Sequence, residues 1–169
     1  ATIRRQRQMC IRDSTKPNKN AISEAHKILQ MLEAIDEKLQ ITKQGRSLSK
    51  IPLHPRLSKI ILSGAQDAPL LASILSDADP LEHSRNTDIS LRLDAVKKIQ
   101  REKSNQSDSI KLPIAKRILK EASRLSKYKV NKSNYTVGQL VALAYPDRIG
   151  KRRDGQIPRY ILSLSLIHI

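Results

Sequence analysis

Apolar side chains recur at three- and four-residue steps in short runs, and prolines and polar stretches cut these runs apart, which confines the chain to a set of short packed helices. Ile22, Ala25, Leu29, Leu32 and Ile35 form one such stripe and predict an opening helix with that face buried. Pro69 to Ser76 predicts a short apolar helix of two turns. Ile89, Leu93, Val96 and Ile99 predict another over 88–103, and Ala115, Ile118, Leu119, Ala122 and Leu125 a fourth over 112–129. The expected class is mainly α, a helical bundle with little strand. Phe and Trp are absent and aromatics make up 2% of the chain, so the core has to close by tight aliphatic packing without large rings. With 169 residues, 38% of them hydrophobic, there is enough material for one domain or two small ones. The polar stretches 104–109 and 131–134 read as connections between helices.

The segment from Leu29 to Leu62 has the most specific order. After the first helix, Leu39 and Ile41 alternate with polar neighbours, predicting a short extended run and a hairpin-like link. Thr42 stands where an N-cap hydroxyl would receive the free amides of the next helix. Gly45 and Arg46 fall in that helix's first turn, Leu48 and Ile51 face inward, and Pro52 ends it. Pro55 fits the first position of a further helix. His54, held extended by the proline after it, is expected to cap or pack at the joint.

Charge is the second constraint. Lys and Arg number 32 against 16 Asp and Glu, a formal net charge of +16, which points to a polyanionic partner. Residues 15–95 carry only +1, whereas 96–162 carry +12. Lys116, Lys120, Arg124 and Lys127 repeat along one side of the fourth helix, where they can track a phosphate backbone. Arg148, Lys151, Arg152, Arg153 and Arg159 cluster beside turn signals. A merely solvated face is the plain alternative for each of these cations. Arg56 and Arg148 could grip a carboxylate or a phosphate bidentately, an internal pair to Asp147 or Asp36 being the structural option.

No catalytic constellation emerges, and no catalytic residue or metal ligand is assigned. The glycines at 45, 64, 138, 150 and 155 open no GxxxxGK motif, and no DEAH tetrad is present. His26, His54, His83 and His168 lack metal-ligand spacing. Asp77 with Asp79, and Asp36 with Glu37, fit turns and helix ends better than an acid–base couple. Cys10 is the single cysteine, so no disulfide framework exists. With no apolar span suited to a membrane, a reducing cytoplasm is the expected compartment.

Two ordered sets of residues carry a family resemblance. The first is Ala34-Ile35-Asp36, then Ile41-Thr42 followed by Gly45-Arg46, then Pro52-Leu53-His54-Pro55-Arg56-Leu57. The second is Leu140 to Ile149, reading LVALAYPDRI, followed by Arg152-Arg153 and Arg159-Tyr160-Ile161-Leu162. Together they resemble the helicase-associated region of HrpB-type DEAH-box ATP-dependent RNA helicases. The resemblance implies a winged-helix-like module over 15–54, a ratchet-like helical bundle over 55–145 and the start of a further piece at 146–162. It also implies single-stranded RNA or another nucleic acid as partner, and motor domains of the same polypeptide. These motors would use ATP and magnesium, while this stretch itself would need no cofactor and hydrolyse nothing. Gly45, Arg46, Pro52, His54, Pro55, Arg56, Tyr145, Pro146 and Asp147 are the motif positions, expected to be chiefly structural. Residues 1–14 and 163–169 resemble translated sequencing-adapter read-through and are expected to be non-native tails. Two other readings are a free-standing winged-helix binder of duplex DNA and a protein-docking scaffold kept soluble by its charge.

Overall fold

A computed structural model describes residues 17–102, 109–128, 132–155 and 159–162. Both expected tails, most of the 104–109 connection, Lys129 and Asn131 lie outside these residues. Among the described residues seven α-helices follow one another: α1 Lys19–Met31, α2 Lys43–Leu48, α3 Pro55–Leu62, α4 Ala68–Ser76, α5 Ile89–Glu102, α6 Leu112–Leu125 and α7 Val137–Ala144. A single-turn 3-10 helix, Ser126–Tyr128, extends α6, and another, Pro146–Arg148, follows α7. β1 Gly150–Arg152 and β2 Tyr160–Leu162 pair antiparallel, Lys151 opposite Ile161, in the one two-stranded sheet among the described residues. The mainly α expectation holds.

α4 is the centre of the molecule because it is almost entirely apolar, its buried Ser73 hydroxyl donating back to Pro69 O. Every residue from Ala68 to Ile74 is buried. Leu71 and Ala72 join a cluster with Ile51, Leu57, Ile60, Ile61, Leu125, Leu140 and Ala144, which ties α3, α6 and α7 together. On its other side Leu70 and Ile74 meet Leu93, Val96, Ile99, Ala115 and Ile118, which seats α5 and α6. Alanines at 68, 72, 115, 122 and 144 lie in these clusters, where their small side chains let the helix axes approach closely. Tight aliphatic packing thus replaces the absent rings.

The predicted stripes of α5 and α6 face the core, Leu93, Val96, Ile99, Ala115, Ile118, Ala122 and Leu125 being buried and Ile89 and Leu119 partly so. The first helix departs from expectation. Ile22 is 40% exposed, Ala25 is exposed, and no residue of α1 is fully buried. Leu32, one residue past its end, is the stripe's fully buried member. Helical periodicity establishes that a face is apolar and does not specify what covers it. The run at 39–41 is also corrected: Leu39 takes a left-handed φ of 60°, and a single antiparallel bridge joins Ile35 to Ile41. The extended run is therefore replaced by a tight turn, while the antiparallel bridge closes the hairpin-like link that was expected. α2 ends at Leu48, ahead of Pro52. α6 ends at Leu125 and runs on as the 3-10 turn to Tyr128, Lys129 lying outside the described residues.

Candidate nucleic-acid interface

The first motif is a closed loop whose members each serve the backbone. Asp36 accepts from the amides of Lys38 and Gln40 at 2.9 and 2.8 Å, which fixes the turn. The Thr42 amide donates to Ala34 O at 3.0 Å, closing the loop. Thr42 Oγ1 donates to Glu33 O at 2.6 Å and accepts from the Gly45 amide at 2.9 Å, so the expected N-cap forms and is itself anchored. Gly45 lies against the carbonyl of Ala34, and a Cβ there would stand 2.0 Å from that oxygen. Glycine is required for this close approach. Arg46, beside it, is exposed.

His54 caps α3, its Nδ1 accepting from the Arg56 amide at 3.3 Å, and Pro55 takes the first helical position. Arg56 leads into the second motif. Its guanidinium donates to Ala144 O at 3.0 Å and holds Asp147 bidentately, the Nη2–Oδ2 contact being 2.9 Å. The Arg56 side chain is 10% exposed and that of Asp147 17%. The hydrogen bond from Arg56 holds the Asp147 carboxyl below its ordinary range, against a smaller opposing effect of burial. Tyr145 lies 5.0 Å from the Arg56 guanidinium carbon, so the arginine also rests on its ring. Between the two offered partners for Arg56 the fold uses Asp147, and Asp36 serves its own turn. Arg56 is a clasp joining the two motifs, closed to any outside phosphate.

The carboxylates at 77 and 79 hold arginines. Asp79 pairs with the buried Arg92 at 2.7 Å and Asp77 with Arg117. Hydrogen bonds from these guanidiniums lower both carboxyl pKa values. The burial of Arg92, which also donates to the carbonyls of Asn86 and Asp88, had no periodic signature in the sequence.

The remaining cations face outward. Lys116, Lys120, Arg124 and Lys127 are all exposed along α6 and the turn that extends it. Arg124 shares its charge with Glu121 at 2.6 Å, and the Lys127 ammonium lies 5.0 Å from the Tyr128 ring. Arg148, with 72% of its side chain exposed, stacks 5.6 Å from Tyr145 and keeps a loose 3.9 Å approach to Asp147. Lys151, Arg152 and Arg153 are exposed as well. Lys151 and Arg152 stand on β1, a correction to their expected place in a loop. The first strip occupies α6 and the second the hairpin after α7. Among the described residues no group of His, Cys, Asp or Glu is arranged to hold a metal, and no helix is long and apolar enough to cross a membrane.

A family model described as helicase associated domain (HA2), winged-helix, matches residues 25–53, the stretch of the closed loop, α2 and the approach to α3. Over 71 residues the chain is 41% identical to the "Probable ATP-dependent RNA helicase DHR1" of Saccharomyces cerevisiae, a match covering 39% of this chain and 6% of that protein. A crystal structure of the Escherichia coli DEAH/RHA helicase HrpB superposes with a TM-score of 0.58 at 25% identity, over 88% of this chain and 17% of that one. A second, titled as the E. coli DExH-box NTPase HrpB, gives 0.59 at 24% identity, again over 88% and 17%. These matches are those of a DEAH-box helicase fragment. The chain corresponds to the helicase-associated region and spans a small part of the relatives' length. Within this helicase-associated segment the motif residues Thr42, Gly45, His54, Arg56 and Asp147 now have structural roles, and the outward cations are left as the candidates for contact. Sequence reasoning passed over Tyr135, an exposed ring beside the α7 cap, because one aromatic in a polar stretch carries no periodic signal.

Proposed function

We propose that this helicase-associated segment grips the phosphate backbone of a single-stranded nucleic acid, RNA in the first place, while motor domains elsewhere in the polypeptide hydrolyse ATP. In this reading residues 15–54 act as the winged-helix-like module, 55–145 as the ratchet-like bundle and 146–162 as the start of the next piece. The observation that carries it is the division of arginines. Arg56, Arg92 and Arg117 are committed to Asp147, Asp79 and Asp77, whereas Arg148, Lys151, Arg152, Arg153 and Lys120 turn to solvent in the half of the chain that holds the excess charge. Backbone contact independent of sequence needs only such outward cations. Duplex reading by α2 is disfavoured, since that helix has six residues and belongs to the charge-balanced half.

The test is fluorescence anisotropy of a labelled oligoribonucleotide across a salt series. Affinity should fall log-linearly with salt, the slope shrinking by roughly 0.7 for every single-strand phosphate that a variant no longer neutralises. Arg148→Ala should weaken binding and flatten the slope while leaving the melting midpoint unchanged. A parent chain whose binding ignores salt, or an Arg148→Ala variant that melts early and binds normally, would refute the proposal.

A further inference from the structure

A cleft of about 510 Å³ opens where the turn after α1, the helices α2, α3 and α7, and the loop before α7 converge. We infer that it is a single-nucleotide subsite, in which one base of a bound strand stacks on Tyr135 while Lys43 meets the adjoining phosphate. The inference rests on the nucleic-acid reading above and adds a base-contacting position to it.

The volume falls in the range of about 300–1,000 Å³ typical of small-ligand sites. Tyr135 borders the cleft and is 46% exposed, so the ring is accessible. Its neighbours hold it from both sides. Ser133 bridges to Ala65, and Thr136 forms a reciprocal capping box with Gln139 at the start of α7. The ring is therefore presented by an anchored backbone and gives little further freedom up on binding. Leu62 and Leu143, both half-buried, supply apolar lining suited to the face of a base.

The charges sort themselves in the same way. Lys59 is bound to Glu33 at 2.8 Å and donates to Leu32 O at 3.2 Å, so the one carboxylate in the lining is already neutralised. Lys43 is exposed and makes no ion pair among the described residues, which leaves it as the cleft's net charge. A ring, an apolar lining and one free cation suit a planar ligand with an anionic attachment, which is a nucleotide. Tyr128 and Tyr145 already carry protein cations on their rings, unlike Tyr135.

The experiment compares two probes on the full chain: a fluorescein-labelled oligouridylate, and an abasic ribose-phosphate oligomer of equal length. Tyr135→Ala should weaken the oligouridylate at least about fivefold, as loss of one stacked base does, with its salt slope unchanged. The abasic probe should bind parent and variant alike, and Tyr135→Phe should restore binding. Lys43→Ala should flatten the slope by roughly 0.7 for both probes. Tyr135→Leu, which keeps the bulk without the π-face, guards against misfolding and should behave like Tyr135→Ala, with an unchanged melting curve. If the parent binds oligouridylate with the expected salt dependence and both Tyr135→Ala and Tyr135→Leu bind it equally well, the subsite is wrong and the backbone grip stands. If the parent shows no salt-dependent binding to either probe, both fall together.

Discussion

Replacing Arg56 by alanine should cost far more stability than any surface arginine, and the size of the loss follows from what is left behind. The guanidinium makes two hydrogen bonds to Asp147 and one to Ala144 O, rests on Tyr145, and is 10% exposed. Without it, a carboxylate only 17% exposed keeps its charge and loses its partner. Breaking a largely buried pair from one side costs about 3–5 kcal/mol. A domain of this size loses about 2–4 °C of melting midpoint per kcal/mol, so the midpoint should drop by roughly 6–20 °C. Thermal melting followed by circular dichroism measures it, and a double-mutant cycle isolates the pair. Asp147→Ala should be costly in the parent but much milder in the Arg56→Ala background, with a coupling of roughly 1–3 kcal/mol. Arg56→Lys should recover only part of the loss, since an ammonium cannot fork onto both carboxylate oxygens. A midpoint within about 2 °C of the parent, or strictly additive losses, would refute the view of Arg56 as a clasp.

Two further outcomes concern the scaffold. Gly45→Ala should destabilise by about 1–3 kcal/mol in urea unfolding, because the new methyl would meet the Ala34 carbonyl and Ile41 Cγ1 at 2.9 Å or less and the backbone oxygen has no room to retreat; a neutral result would mean that the loop is not closed as described. Acid should act through Asp147: its pKa is depressed in the fold, so the pair's contribution is complete above the unfolded-state value of about 3.9 and is lost as pH falls through the lower folded value. Between neutrality and mild acid this pair should therefore contribute in full and add no pH dependence to the melting midpoint. Below that range the parent should decline more steeply than Asp147→Asn, and parallel declines would count against the assignment.

What the sequence revealed was what local chemistry decides. The Thr42 cap, Pro55 at the head of α3, and the buried stripes of α5 and α6 depend on neighbours within a few residues, and they were readable for that reason. Asp36 and Asp147 were both plausible partners for Arg56, and only the packing of α3 on α7 selects the second. The exposure of Ile22 and Ala25 was hidden because an amphipathic pattern is the same whether or not the face is covered. The burial of Arg92 was hidden because its partners, Asp79 and the carbonyls of Asn86 and Asp88, sit in an aperiodic stretch, and the cleft at Tyr135 because it is assembled from elements far apart along the chain. Of the expected contact residues, the outward direction of the cations was legible, while the separation of paired arginines from free ones required three dimensions.

The 91-residue span between Arg56 and Asp147 has a consequence for birth order. A ribosome adding roughly 5–20 residues per second would release α3 about 5–18 s before its carboxylate partner emerged. Through that interval the nascent polypeptide holds a cation destined for the interior with nothing to neutralise it, so α3 cannot settle until α7 and the turn after it arrive. A truncation stopping short of Asp147 would freeze that unfinished state, and such a clone should be degraded or captured by chaperones.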